Sequence, residues 1–122
     1  MTDLRPLRIV FVCTQNKLRS PTAEQVFRDH PGWEVASAGT DRTAKTPLTC
    51  DLLEWADVAV CMHKQHRDWV QGKLKSVLPD DRILILGIPD DYEYMDPELV
   101  ELLTRLVPGR LDGLERRPIA DV

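Results

Sequence analysis

The sequence predicts an α/β fold: a three-layer arrangement in which a four-stranded parallel sheet, order 2-1-3-4, carries helices on both faces. Three observations predict it. Short runs of apolar β-formers alternate with segments whose apolar residues recur at helical spacing, the pattern of strands joined by crossover helices. The first run, Ile9-Val10-Phe11-Val12, is apolar without a break, as a strand buried on both faces must be. It ends in Cys13-Thr14-Gln15-Asn16-Lys17-Leu18-Arg19-Ser20-Pro21, where a helical pattern opens, so strand, loop and helix start stand in series.

Residues 1 to 6 read as a loose arm and residues 7 to 12 as the first strand. From Pro21 to about Asp29, Ala23, Val26 and Phe27 fall at helical spacing, with proline tolerated in the first turn, and Pro31-Gly32 stops the helix. Trp33 to Ser37 alternates as a short second strand and leads into Ser37-Ala38-Gly39-Thr40. Asp41 to Thr46 is a polar loop, and Pro47 to Ala56 reads as a helix. Asp57 to Met62 is the third strand, with Cys61 in the core, and Lys64 to Leu78 the next helix. Arg82 to Gly87 makes the fourth strand. Asp96 caps a last helix begun by Pro97, striped by Leu99, Leu102, Leu103, Leu106 and Val107 and terminated by Pro108-Gly109. Residues 1–110 form one domain and 111–122 a flexible tail.

At 122 residues the chain has room for one core. A net charge of -4 argues against nucleic acid as a partner, and no apolar stretch reaches the roughly 20 residues that span a bilayer. The polar start lacks the apolar centre of a signal peptide, so the expected location is cytoplasmic. Three cysteines, at 13, 50 and 61, cannot all pair and form no metal-ligand spacing. His30, His63 and His66 read as solvated surface, without assigned chemistry.

The chemistry concentrates in the loop after the first strand. Its successive backbone N–H groups and the helix start favour an anion. A thiol beside such groups and a guanidinium ionises well below the usual value of about 8.5 and becomes a nucleophile, the role read for Cys13. The planar fork of Arg19 suits two oxygens of a tetrahedral oxyanion and its charge persists as that anion becomes trigonal bipyramidal. Ser20 can donate a hydrogen bond to the thiolate. In a parallel sheet, ligands bind beyond the carboxyl ends of the strands at the switch point beside the first strand, where this loop falls.

These residues, followed by Ser37-Ala38-Gly39-Thr40 and by Ile88-Pro89-Asp90-Asp91-Tyr92, resemble in order the three signatures of low-molecular-weight protein tyrosine phosphatases. The resemblance covers most of the chain and implies a cysteinyl-phosphate mechanism without metal or cofactor. It implies catalytic roles for Cys13, Arg19 and Asp90, with Thr14, Gln15, Asn16, Lys17, Leu18, Ser20, Ser37 and Tyr92 binding substrate and Ser37 touching Asn16 beneath the loop. Three departures stand out. Gln15 occupies a position where relatives have glycine, which predicts strain or a reshaped loop. Leu18 replaces a cysteine that is often present in relatives and would protect the nucleophile as a disulfide. The segment after Thr46 lacks a longer insertion that lines the cleft in relatives.

Asp91 stands where relatives have proline, which leaves Asp90 and Asp91 both open as the acid. Lys17 either faces the cleft or is solvated, and Tyr94 either lines the cleft or packs in the core. The implied partners are a phosphorylated protein or a small aryl phosphate, with phosphate or sulfate in the loop. Two other readings fit the loop: a thiol-based arsenate reductase, which needs Cys50 or Cys61 as a relay, and a phosphoanion-binding module with little turnover.

Overall fold

Side-chain alternation along one central strand sets the architecture. In β1 (Leu7–Cys13), Leu7, Ile9, Phe11 and Cys13 face one core, and Val10 and Val12 face a second on the opposite side. Both faces are buried, which is why the run is apolar throughout. The computed structural model describes residues 5–74 and 77–116. After β1 come α1 (Arg19–Phe27), β2 (Trp33–Gly39), α2 (Cys50–Trp55), β3 (Val58–Cys61), α3 (Lys64–Lys73), a single 3-10 turn (Asp80–Arg82), β4 (Ile83–Ile85) and α4 (Pro97–Leu111). The four strands are parallel in the order β2-β1-β3-β4, as the sequence predicts.

Helices α1 and α4 bury Ala23, Phe27, Leu99, Leu103, Val107 and Leu111 against one face of the sheet. Leu53 of α2 and Val70 of α3, with Leu48 and Leu78, cover the other. β1 and β3 lie at the centre, so the loop after β1 emerges between two covered faces, at the carboxyl edge. Asn16 and Cys13 are thereby buried although the loop borders solvent.

Several boundaries differ from the sequence reading for identifiable reasons. Helix α1 begins at Arg19, two residues before Pro21, which places Arg19 and Ser20 in its first turn. Helix α2 starts at Cys50 rather than Pro47, because Pro47 forms a bridge beside Gly39 and the Thr49 hydroxyl caps the helix by accepting from Leu52 N at 3.2 Å. Helix α3 ends at Lys73, and β4 is only three residues long. Pro108-Gly109 does not end α4: the helix continues to Leu111, whose burial extends the Leu99, Leu103, Val107 stripe. Burying a leucine is worth about 1.5–3 kcal/mol, comparable with the roughly 3 kcal/mol cost of an interior proline.

The region read as a tail is anchored through residue 116. Leu114 packs against the α4 core, Arg116 Nε donates to Arg5 O at 2.6 Å, and Arg82 Nη1 donates to Glu115 O. Residues 117–122 lie outside the described residues, as do 1–4 of the expected arm. Arg5 itself is fixed. Its two Nη atoms each lie 2.7 Å from one oxygen of buried Asp57, and Asp57 Oδ2 also accepts from Arg8 N at 2.8 Å. This carboxylate ties the entry of β1 to the entry of β3. Removing one partner of a buried pair strands the other, so Asp57→Ala is expected to lower unfolding free energy by about 3 kcal/mol, measured by urea denaturation. A loss below about 1 kcal/mol would show that the carboxylate does not carry this junction.

Candidate active site

The loop from Thr14 to Leu18 is built around a left-handed residue. Asn16 has φ of 56°, a conformation that asparagine tolerates better than most residues. Its Nδ2 donates to Ser20 Oγ at 3.0 Å and Ser37 Oγ at 2.9 Å, and Ser37 in turn donates to Glu24 Oε1. Ser20 Oγ lies 2.9 Å from Cys13 Sγ. A continuous polar chain therefore runs from the thiol through Ser20 and Asn16 to Ser37 and Glu24, and it includes the Ser37 to Asn16 contact that the resemblance implies.

Beside this chain, Gly39 lets β2 press against the loop. A Cβ at Gly39 would collide with the Thr14 carbonyl oxygen and stand 2.6 Å from the Ala44 Cβ. Thr40 N donates to Cys13 O at 2.9 Å, Asp41 N to Thr14 O at 3.0 Å and Lys45 N to Gln15 O at 3.1 Å, so the loop carbonyls point toward the 40–45 segment. Among the described residues, the N–H groups of Thr14 to Leu18 donate to no protein acceptor. They are the donors that an oxyanion requires.

Gln15 is not strained, contrary to the expectation for a residue replacing glycine. The positive φ falls on Asn16, and Gln15 Nε2 donates to Asp41 Oδ2 at 2.9 Å. Asp41 is held below the usual carboxylate range, chiefly by hydrogen bonds from the Thr43 N–H and hydroxyl, with Gln15 adding to them. Gln15 thus braces the loop through its side chain.

Cys13, Thr14, Gln15, Lys17, Leu18, Arg19 and Asp90 line one cavity of about 180 Å³. Asn16, Ser20 and Ser37 lie in the buried network beneath it. Arg19 is 3% exposed, donates from Nη1 to Ile88 O at 2.8 Å, and has its Nε 3.7 Å from Asp90 Oδ1. Asp90 is mostly exposed at the cavity rim, while Asp91 is not among the lining residues. Asp96 caps α4 by accepting from Glu98 N at 3.0 Å. Tyr92 is partly buried against the core on the α1 and α4 side of the sheet and does not line this cavity. Tyr94 is half exposed, beside a neighbouring groove.

One residue beside the loop was misread from the sequence. His66 is buried, not solvated: α3 begins at Lys64 and turns this side chain under the loop. His63 N donates to His66 Nδ1 at 3.0 Å, so the ring proton sits on Nε2, which donates to Thr14 Oγ1 at 2.9 Å. Thr14 Oγ1 is then an acceptor on its buried side, and its own proton is free to point into the cavity it lines. Burial, and next the positive Arg19, lower the His66 pKa to about 4. The available signal was His63 and His66 three apart at a helix start after a buried strand, where one imidazole can reach back to the cap N–H.

The other thiols differ sharply in setting. Cys50 is exposed on α2, whereas Cys61 is fully buried and its pKa is pushed up to about 12 by burial. Cys61 is therefore a core residue, as expected, and is unsuited to relay a disulfide.

A parallel α/β sheet bearing a cysteine, an arginine and a carboxylate around a loop of free N–H groups suits thiol chemistry on an oxyanion. The sequence of residues 8–67 matches the family described as low molecular weight phosphotyrosine protein phosphatase. No curated protein sequence matches it. Among solved structures it is similar to a YwlE mutant from Bacillus subtilis, with 27% identity over 84% of this chain and 97% of that one, TM-score 0.66. A mutant of the arginine phosphatase YwlE with a phosphorylated active-site serine shares 25% identity over 88% and 99% of the two chains, TM-score 0.67. The tyrosine phosphatase Wzb from Escherichia coli K30, in complex with phosphate, shares 21% over 89% and 99%, TM-score 0.67.

The buried imidazole yields a pH prediction. Its folded pKa of about 4 lies below the ordinary 6.5, so the unfolded chain binds the extra proton first as pH falls. Stability from this group is full above about pH 6.5 and is lost progressively toward pH 4. Unfolding midpoints in urea should fall between pH 7 and pH 5 for the wild type, and fall less for His66→Gln. Equal pH slopes in the two proteins would remove His66 from this role.

Proposed function

We propose that the chain hydrolyses aryl phosphate monoesters, phosphotyrosine in proteins above all, through a cysteinyl-phosphate intermediate. The observation that carries the reading is the convergence of Cys13, Arg19 and Asp90 on one cavity floored by free backbone N–H groups. Cys13 attacks phosphorus as the thiolate, in line with the leaving oxygen. The S–P bond forms as the P–O bond breaks, and the proton of Asp90 passes to that oxygen. Arg19 and the loop N–H groups hold the three equatorial oxygens, whose charge is retained through the transition state. Water then attacks phosphorus while Asp90 takes its proton. The S–P bond breaks, phosphate leaves, and Ser20 donates to the departing thiolate.

The phosphorylated serine of the YwlE mutant supports a covalent route in that relative. Substrate class is argued from this chain. Lys17 is exposed and lines the cavity, and its charge opposes the cationic guanidinium of phosphoarginine while tolerating a neutral phenol ring. Among the described residues, no helix is long and apolar enough to cross a membrane. The reading places the enzyme in the cytoplasm, where reducing conditions keep Cys13 a free thiol.

Steady phosphate release from para-nitrophenyl phosphate tests the proposal directly, since an anion-binding module would stop after one equivalent or fewer. Cys13→Ser is expected to bind vanadate yet lose turnover by several orders of magnitude. Substantial residual turnover in that variant would overturn the nucleophile assignment.

The acid is tested by leaving group. Asp90→Asn should slow phenyl phosphate hydrolysis by roughly 100-fold, the lower range for general acid catalysis, and slow para-nitrophenyl phosphate much less. A leaving-group-dependent loss in Asp91→Asn, with Asp90→Asn near wild type, would transfer the role to Asp91.

A further inference from the structure

The described residues form a second depression, larger than the cavity at Cys13 and sharing Lys17 with it. It is a groove of about 680 Å³ between α1 and the 45–52 segment, with the β2 edge at its floor. Lys17 lines both spaces, which places the groove beside the cavity. Three cations line it: Lys17 from the loop, Arg28 from the end of α1, and Lys45 from the segment after Gly39. All three are exposed, and among the described residues none is in an ion pair. The one carboxylate in the wall, Glu24, accepts the Ser37 hydroxyl and so faces the buried network. Half-exposed Tyr94 completes the rim.

This concentration of positive charge runs against the net charge of -4. Local cations without partners, in a concave surface that adjoins a phosphate site, are complementary to an anionic chain segment. We propose that the groove is a docking site for an acidic peptide segment flanking the phosphorylated residue, so that Lys17, Arg28 and Lys45 select phosphoproteins with Asp or Glu beside the phosphorylation site. The proposal rests on the phosphatase reading above. It assigns the groove to substrate selection, in a chain where the wall segment after Thr46 is short.

The test uses the full chain and a matched pair of phosphotyrosine peptides, one with acidic and one with uncharged flanks. Para-nitrophenyl phosphate, too small to reach the groove, serves as the third substrate. The wild type should prefer the acidic peptide in kcat/KM, and the preference should shrink as salt is raised. Arg28→Ala combined with Lys45→Ala should reduce the ratio of acidic to uncharged peptide roughly five-fold at low ionic strength, as expected for two partly exposed cations, with para-nitrophenyl phosphate turnover unchanged. Restoring charge with Arg28→Lys should recover most of the ratio.

Equal rates for the two peptides in the wild type, or an unchanged ratio in the double variant, would overturn the docking proposal while leaving the phosphatase reading intact. Absent turnover of para-nitrophenyl phosphate would instead fail that underlying reading. A short single-stranded oligonucleotide that inhibits peptide turnover in the wild type but not in the double variant would assign the groove to nucleic acid and also overturn the proposal.

Discussion

The structure depends on one asparagine held where most side chains are unwelcome. Asn16 in the left-handed region folds the loop back so that its N–H groups converge, and the same side chain donates to Ser20 and Ser37 below. A residue lacking that amide would face the backbone cost, of order 1–2 kcal/mol, without the two buried hydrogen bonds that offset it. The loop is therefore shaped before any anion arrives, as electrostatic stabilisation of a transition state requires. Gly39 is the other half of this constraint, because β2 can reach the loop only where no Cβ intervenes.

Much of this was legible in the chain. The two-sided burial of β1 is written in its unbroken apolar run, and strands alternating with helices fix a parallel sheet in the observed order. That Cys13, Arg19 and Asp90 line one cavity was also legible, because chemistry constrains their types and their positions at strand ends. What escaped depends on contacts between distant segments. His66 reads as a polar helix residue until the turn after β3 brings it under Thr14, 52 residues away. Leu111 and Arg116 look like a tail because their partners, the α4 core and Arg5, are invisible to local periodicity. Tyr92 was assigned to the cleft by motif position, whereas it is partly buried against the core on the α1 and α4 side of the sheet.

Departures at single positions were absorbed by rewiring. Gln15, where relatives have glycine, is compatible with the loop because the strained φ belongs to its neighbour and because Asp41 supplies an acceptor for its amide. Asp41 is in turn fixed by Thr43 N and Oγ1, each at 2.8 Å. The loop acquires a side-chain strut on the 40–45 segment, in addition to the three backbone bonds that run there. On the adjoining surface, Glu24, Ser37 and Lys45 border an open groove.

Arg19 joins the two halves of the site. Its guanidinium is almost fully buried, yet it is bonded to a main-chain carbonyl and faces a mostly exposed carboxylate. Burying a cation is costly unless its donors are satisfied, and Ile88 O satisfies one of them. That bond ties the segment leaving β4 to the first turn of α1, which fixes the distance between the buried guanidinium and the Asp90 loop. When an anion occupies the loop, Arg19 gains a stronger partner than Asp90 at 3.7 Å, and the carboxyl group is released from competition with it. Under the proposed function, the same residue would hold Asp90 close before substrate binds and free it for proton transfer afterwards.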